Sequence, residues 1–154
     1  MRNRPLMYIA GPLFSLAERE FNARLKELLS LRFNIYLPQQ DGGLLTEMIA
    51  AGMDSEEASR RVFERDVLAI RKCEFFLMIL DGRVIDEGAA FELGVAYSIG
   101  KRCFGLQTDP RRLLPCGNNP MIAQALEHIF QSIEEMKEWL LSSPPQPATN
   151  ADPA

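Results

Sequence analysis

The stretch that decides the fold is Glu74-Phe-Phe-Leu-Met-Ile-Leu80, which leads directly into the acidic segment Asp81–Glu87. A run this rich in apolar residues is typical of a strand that is covered on both faces of a parallel sheet. From Gly88 to Gly100 the pattern becomes helical, with an apolar side chain at every fourth residue from Phe91 onward. A buried strand, an acidic loop and a helix in this order predict one repeating unit of an α/β fold.

The same alternation of apolar runs and amphipathic segments extends along the chain. Further strands are predicted at 6–10, 33–37, 102–107 and 128–131, and further helices at 16–31, 55–72 and 133–141. Short connections between them imply a parallel sheet with right-handed crossovers. We predict an α/β fold, a single doubly wound domain over residues 1–141 of flavodoxin or Rossmann type, with about five mostly parallel strands and helices on both faces. The proline-rich segment 142–154 is predicted to be a disordered tail.

Composition limits the classes of function. The 154 residues carry a formal net charge of −4, and no run of Lys or Arg indicates nucleic-acid binding. The longest apolar run is far shorter than the roughly 20 residues that cross a bilayer, and the first residues lack an apolar signal-peptide core. Three scattered cysteines and one histidine predict neither a disulfide framework nor a zinc site. We therefore expect a cytoplasmic protein that acts through carboxylates, with no metal and no nucleic-acid or membrane partner.

One carboxylate stands out in the predicted helix 55–72. The predicted buried stripe of this helix consists of Ser59, Val62, Phe63, Asp66, Val67 and Ile70. An ionised carboxylate that faces a core is costly unless it is paired. Asp66 therefore either meets an arginine or a backbone amide, or it stands at the mouth of a pocket. We favour the pocket.

A second group of carboxylates surrounds the start of the helix predicted from Gly88. Asp86 precedes this helix and Glu92 lies near its start, where the helix dipole and the free N–H groups stabilise negative charge. Gly94 costs roughly 0.5–1 kcal/mol inside a helix, which suggests close approach of a ligand or of another backbone. Spacing alone leaves open whether Glu92 belongs to a site or is a solvated acid of the first turn, and for Asp86 and Glu87 it favours loop acids that cap the helix.

Taken in order, these segments resemble the nucleoside 2-deoxyribosyltransferase family. The resemblance spans roughly residues 6–141 and rests on Tyr8-Ile9-Ala10-Gly11-Pro12-Leu13-Phe14, Asp66, Asp86-x-Gly88-x-x-x-Glu92-Leu93-Gly94 and Asn119-Pro120-Met121. It implies a role in nucleotide salvage within purine and pyrimidine metabolism, with 2'-deoxyribonucleosides and free nucleobases as partners and no cofactor.

The resemblance also implies a mechanism, in which the nucleobase of a 2'-deoxyribonucleoside is exchanged with retained configuration. Glu92 matches the nucleophile that forms a covalent deoxyribosyl intermediate, and Asp66 and Asp86 match the carboxylates that handle the base and the sugar. Tyr8 is expected to hold the nucleophile. The substrate-binding residues implied by the resemblance are Gly11, Phe14, Gln40, Gly88, Asn119 and Met121.

Three further expectations concern assembly and rival functions. Asn119 and Met121 match a segment that reaches into a neighbouring subunit's site, which implies a homo-oligomer, either a dimer or a hexamer. If water intercepts the Glu92 adduct, the protein is instead an N-glycosidase of nucleosides or of their 5'-monophosphates; Ser15 and Arg60 or Arg61 are the side chains available for a phosphate. A non-catalytic flavodoxin-like binding module explains the sheet but leaves Asp66 unexplained.

Overall fold

The computed structural model describes residues 4–111 and 117–142. Its strands are β1 Leu6–Ala10, β2 Asn34–Tyr36, β3 Phe75–Ile79, β4 Arg102–Leu106 and β5 His128–Phe130. They form one five-stranded sheet in the order β2-β1-β3-β4-β5, and every neighbouring pair is parallel. The predicted α/β fold is therefore confirmed.

Helices cover both faces of this sheet. They are α1 Leu16–Leu29, α2 Leu45–Ala50, α3 Ser55–Lys72, α4 Glu87–Ser98, α5 Pro120–Ala123 and α6 Ile133–Ser142. Because side chains alternate along a strand, each strand contributes to two separate cores. Met7 and Phe75 pack with α1 and α6 on one face, whereas Tyr8 and Phe76 pack with α3 and α4 on the other.

The strand order determines where a ligand can bind. The connections from β1 and from β3 leave the sheet in opposite directions, so a crevice opens beyond the carboxyl ends of these two strands. The loop after β1, which begins at Gly11, and the loop after β3, which begins at Leu80, meet at this crevice. Tyr8 on β1 lies directly beneath it.

The segment 39–53, for which no strand or helix was predicted, contains two ordered elements. Pro38–Gly42 forms a single π-helical turn, called the π turn below, and α2 follows it. The short α5 also had no counterpart in the prediction. Ser142, the first residue of the predicted tail, is the last residue of α6, and the rest of that tail lies outside the described residues. The boundaries of the predicted domain stay a prediction.

The predicted buried stripe of α3 is wrong in part. Ser59 is exposed and Phe63 is 56% exposed, whereas Ala58 and Ala69 are buried. The small side chains of Ala58 and Ala69 let α3 pack closely on the sheet. Phe63 lies at the flank of the helix. There the ring of Phe63 faces the ring of Phe91 on α4 at 6.2 Å between centroids.

A buried polar link fastens the crevice loops to α1. The amide of Asn22 on α1, 3% exposed, donates to the carbonyl oxygen of Pro12 at 2.9 Å and to Oε1 of Gln39 at 3.0 Å. The amide of Gln39 donates in turn to the carbonyl oxygen of Arg19 at 2.9 Å. The loop after β1 and the π turn are thus held to the same helix.

We expect Asn22→Ala to lower the free energy of unfolding by about 1–3 kcal/mol, because two acceptors lose a buried donor. Asn34→Ala is the matched control. The exposed amide of Asn34 donates to the carbonyl oxygen of Arg4, and its loss should change the stability by less than about 0.5 kcal/mol. Urea unfolding followed by circular dichroism measures both, and equal losses would contradict the assignment.

Candidate active site

A cavity of about 250 Å³ lies at the carboxyl ends of β1 and β3. Its walls come from the loop after β1, the π turn and the residues after it, α3, and the first turns of α4. Six of the predicted site residues line it, namely Gly11, Phe14, Asp66, Asp86, Gly88 and Glu92. We call this space the Glu92 cavity.

Tyr8 and Glu92 form the shortest contact of the site. The hydroxyl of Tyr8 donates to Oε1 of Glu92 at 2.6 Å. The Tyr8 ring is fully buried and stacks between the rings of Tyr36 and Phe76, at 5.3 and 5.5 Å between centroids. Burial, and then the Glu92 and Asp66 carboxylates, raise the pKa of Tyr8 far above its usual range. Tyr8 therefore remains a donor, and its ring cannot easily move.

Glu92 is held in an environment that disfavours its charge. Burial raises the pKa of Glu92 to about 8, the hydrogen bond from Tyr8 opposes that rise, and the nearby Asp66 and Asp86 add to it. Glu92 is the sixth residue of α4, beyond the first turn where the helix dipole acts. The expectation that the helix start stabilises its charge is therefore wrong, because desolvation dominates.

Asp86 and Asp66 have different partners. Asp86 is the N-cap of α4 and accepts the N–H of Ala89 at 2.8 Å, so the capping role considered for it is present. Among the described residues, neither an arginine nor a backbone amide donates a hydrogen bond to Asp66: the hydroxyl of Tyr36 donates to its Oδ1 at 3.0 Å. Burial raises the pKa of Asp66, while Tyr36 and then Arg65 lower it.

Sequence reasoning missed Tyr36. It is the register partner of Tyr8 across the β1–β2 pair, so the two tyrosines stand side by side at the same level of the sheet. The only signal in the sequence is a tyrosine within each of two consecutive predicted strands. Its partner Asp66 lies 30 residues away, and nothing local indicates that contact.

Four predicted residues do not line the Glu92 cavity of their own chain, and one of them, Tyr8, still contacts Glu92 through its hydroxyl. Gln40 is exposed on the π turn, where Gln39 makes the structural contacts described above. Asn119 and Met121 line a second cavity, of about 310 Å³, on the other side of the loop after β3. The Asn119 side chain caps α5 by accepting the N–H of Met121 at 2.9 Å, and Met121 is 81% exposed.

Within residues 4–111 and 117–142, no three His, Cys, Asp or Glu side chains converge closely enough to hold a metal ion. The hydrogen-bond partners of the three acidic residues of the Glu92 cavity are two tyrosine hydroxyls and one backbone N–H. Of the helices in the same two ranges, none combines the length and apolarity that crossing a bilayer requires.

The raised pKa of Glu92 has a consequence for stability. Because its carboxyl titrates at about 8 in the folded chain instead of near 4.5, the fold loses stability as the pH rises between these values. We expect Glu92→Gln to stabilise the protein by roughly 2–5 kcal/mol above about pH 8, and by little near pH 4.5.

Urea unfolding across this pH range measures the gain, with Glu64→Gln on the exposed side of α3 as the control. A gain for Glu92→Gln that does not depend on pH, or a loss at every pH, would contradict the burial of an ionisable group at this position.

Comparison with known proteins places this geometry in a family. The family model described as "Nucleoside 2-deoxyribosyltransferase" matches residues 7–140. No curated protein sequence matches the chain. Among solved structures, a conserved protein from Enterococcus faecalis V583 is 25% identical with a TM-score of 0.72, and the match covers 88% of this chain and 96% of that one.

Two further structures share the fold. The 2-deoxyribosyltransferase of the psychrotolerant bacterium Bacillus psychrosaccharolyticus is 21% identical with a TM-score of 0.73, over 94% of this chain and 99% of that one. The Clostridium botulinum CMP N-glycosidase is 16% identical with a TM-score of 0.50, over 88% and 97%. With a family model that matches nearly the whole described chain, the predicted resemblance is confirmed: the chain belongs to the nucleoside 2-deoxyribosyltransferase family.

Proposed function

We propose that this protein exchanges the nucleobase of a 2'-deoxyribonucleoside through a covalent intermediate on Glu92. The observation that carries the proposal is the 2.6 Å hydrogen bond from Tyr8 to Glu92 in a cavity that also contains Asp66 and Asp86. A retaining transfer needs a fixed carboxylate nucleophile and a second carboxyl group that handles protons. The Glu92 cavity offers a carboxyl group for each of these roles.

In the first step, Glu92 attacks C1' of the sugar. Tyr8 occupies Oε1, so Oε2 is the oxygen that forms the new bond. As the C1'–N bond breaks, its electron pair passes to the base nitrogen, and the base takes a proton from Asp66 and leaves neutral. The transition state has oxocarbenium character, and the remaining negative charge of Glu92 stabilises it.

In the second step, a nitrogen of the incoming base attacks C1', the bond to Oε2 of Glu92 breaks, and the proton of that nitrogen returns to Asp66. Two inversions at C1' give net retention. Asp86 uses Oδ2 to cap α4, which leaves Oδ1 for a sugar hydroxyl. Phe14, 76% exposed at the cavity mouth, packs against the base.

The protonation states of the two acids set the working pH range. The Asp66 carboxylate adds to the raised pKa of Glu92, so the two acids titrate as a pair, and below about pH 8 Glu92 holds a proton. The reaction needs that proton on Asp66. Since the pKa of Glu92 is raised to about 8, the proton favours Glu92 in the empty cavity, and bound substrate must shift it.

The lining of the Glu92 cavity favours a neutral nucleoside over a 5'-monophosphate. Its ionisable lining residues are the three carboxylates, which repel an anionic phosphate. The phosphate candidates considered in the sequence have other partners. The Ser15 hydroxyl caps α1, and Arg60 and Arg61 both pair with Glu57.

Base exchange is tested with 2'-deoxyinosine and adenine. Chromatography should detect hypoxanthine and 2'-deoxyadenosine with the wild-type protein and neither with Glu92→Ala, because no other group replaces the nucleophile. Glu87→Ala, at the exposed first residue of α4, is the matched control and should stay active.

Release of deoxyribose without 2'-deoxyadenosine would convert the proposal to the N-glycosidase alternative. Turnover of 2'-deoxyinosine 5'-monophosphate in preference to 2'-deoxyinosine would contradict the choice of a neutral nucleoside. Unchanged turnover by Glu92→Ala would remove the mechanism altogether.

We also propose a homo-oligomer in which Asn119 and Met121 complete the cavity of a neighbouring copy. Helix α4 is apolar on two sides: Ala89, Leu93 and Ala96 face the core, while Phe91 is 57% exposed and the C-cap residue Ile99 is 44% exposed. A helix that is apolar all round is normally covered all round. This supports a second copy on the outer side of α4, beside Phe63.

Two further observations favour a second copy of this chain as the cover. A Cβ added at Gly94 would meet nothing within 4 Å, so the single chain does not explain this costly helical glycine, whereas close approach of a neighbouring backbone does. Exposed Glu56 and Glu87 lie in the first turns of α3 and α4, and exposed Arg71 lies in the last turn of α3. In a two-fold antiparallel pair, opposite charges therefore meet.

We expect light scattering to find at least a dimer of the wild-type protein. Phe63→Glu should shift the assembly towards the monomer and lower the rate of base exchange about tenfold or more. Leu68→Glu, 49% exposed on another side of α3, is the control and should leave the assembly intact. A wild-type monomer with full activity would contradict the shared cavity.

A further inference from the structure

We infer that Tyr36 is a positioning residue for Asp66: its hydroxyl fixes Oδ1, so that Oδ2 is presented to the nucleobase. The inference rests on the proposed function and adds to it the residue that aims the proton-transferring group. Tyr36 does not line the Glu92 cavity and touches no substrate atom in the proposed mechanism. It acts only through the 3.0 Å hydrogen bond to Asp66.

The Tyr36 ring is held in place by the sheet. It stacks on the Tyr8 ring at 5.3 Å with an interplanar angle of 16°, and the two residues are register partners in the parallel β1–β2 pair. Each tyrosine holds one carboxylate, Tyr8 that of Glu92 and Tyr36 that of Asp66. The nucleophile and the proton donor are therefore fixed relative to each other through two adjacent strands.

The backbone of the π turn packs directly onto this hydrogen bond. A Cβ at Gly42 would lie 2.8 Å from Oδ1 of Asp66 and 2.9 Å from the hydroxyl oxygen of Tyr36. Any side chain at this position must displace one of the two bonded atoms. The absence of a side chain at Gly42 is thus a requirement of the Tyr36–Asp66 contact, and substitution there offers a second way to break it.

The chemical nature of the partner also fits the role. Arg65 precedes Asp66 in the chain, yet its guanidinium donates to the carbonyl oxygen of Gly42 at 2.9 Å. A bidentate arginine would hold Asp66 ionised, whereas a neutral hydroxyl orients the group and leaves it able to carry a proton. Burial, and then the Asp66 carboxylate, raise the pKa of Tyr36 above its usual range, so the hydroxyl stays protonated.

Removal of the hydroxyl has a definite electrostatic sign. The titratable groups around the Tyr36–Asp66 pair are Tyr8 on β1, Glu92 on α4, Arg65 on α3 and Asp41 on the π turn. Burial raises the pKa of Asp66, and the Tyr36 hydrogen bond and then Arg65 lower it by less. Tyr36→Phe therefore raises the pKa of Asp66 further.

Tyr36→Phe is the first test, since it keeps the stacked ring and removes only the donor. We expect kcat for base exchange to fall roughly tenfold to a hundredfold, because Asp66 loses its fixed orientation. The acid limb of the kcat/KM profile, which reports the free enzyme, where the proton lies on Glu92 and Asp66 is the group that titrates at lower pH, should move to higher pH. Gly42→Ala should have both effects, and Tyr97→Phe, at an exposed position on α4, should have neither.

A carboxyl-carbon NMR titration of Asp66 separates this inference from the proposed function. A rise in its pKa in Tyr36→Phe and Gly42→Ala supports the contact whether or not the protein turns over a nucleoside. If the wild type is active and both variants keep its kcat, its acid limb and its pKa of Asp66, the inference is overturned. A wild type that exchanges no base overturns the proposed function instead.

Discussion

The burial of the Glu92 carboxylate against the Tyr8 hydroxyl is the constraint on which the site depends. Desolvation brings the pKa of Glu92 to about 8, and the 2.6 Å hydrogen bond from Tyr8 provides the polar contact that makes this burial tolerable. Tyr8 can provide it only because its ring is fixed between two other aromatic rings in the core. The catalytic proposal thus relies on the packing of one sheet face.

That packing follows from the order of the strands. With β1 between β2 and β3, the Tyr8 ring lies between Tyr36 on one neighbour and Phe76 on the other. On this face, α3 and α4 approach with small buried residues such as Ala69 and Ala89. The same two helices can then place Asp66 and Glu92 over the ends of the strands. Fold and site share one set of contacts.

Sequence patterns predicted the strands well because long apolar runs directly reflect burial on both faces. They failed for the π turn, which is too short for periodicity, and for Phe63, because helical periodicity marks an apolar side without specifying what covers it. Asp66 could be singled out as a charge among apolar neighbours. Its partner Tyr36 could not, since their contact joins β2 to α3 over a separation of 30 residues.

The two acids illustrate why tyrosine is a suitable partner here. A pair of interacting carboxyl groups that holds one proton near neutral pH can supply both a nucleophile and a proton donor, provided neither is locked as an anion. An arginine partner would hold the neighbouring carboxyl group as an anion, whereas a tyrosine hydroxyl with a raised pKa orients each carboxyl group and remains neutral. The cost is a buried ionisable pair that stabilises the fold less than apolar residues would. In the proposed reaction, that cost is inseparable from the reactivity of Glu92.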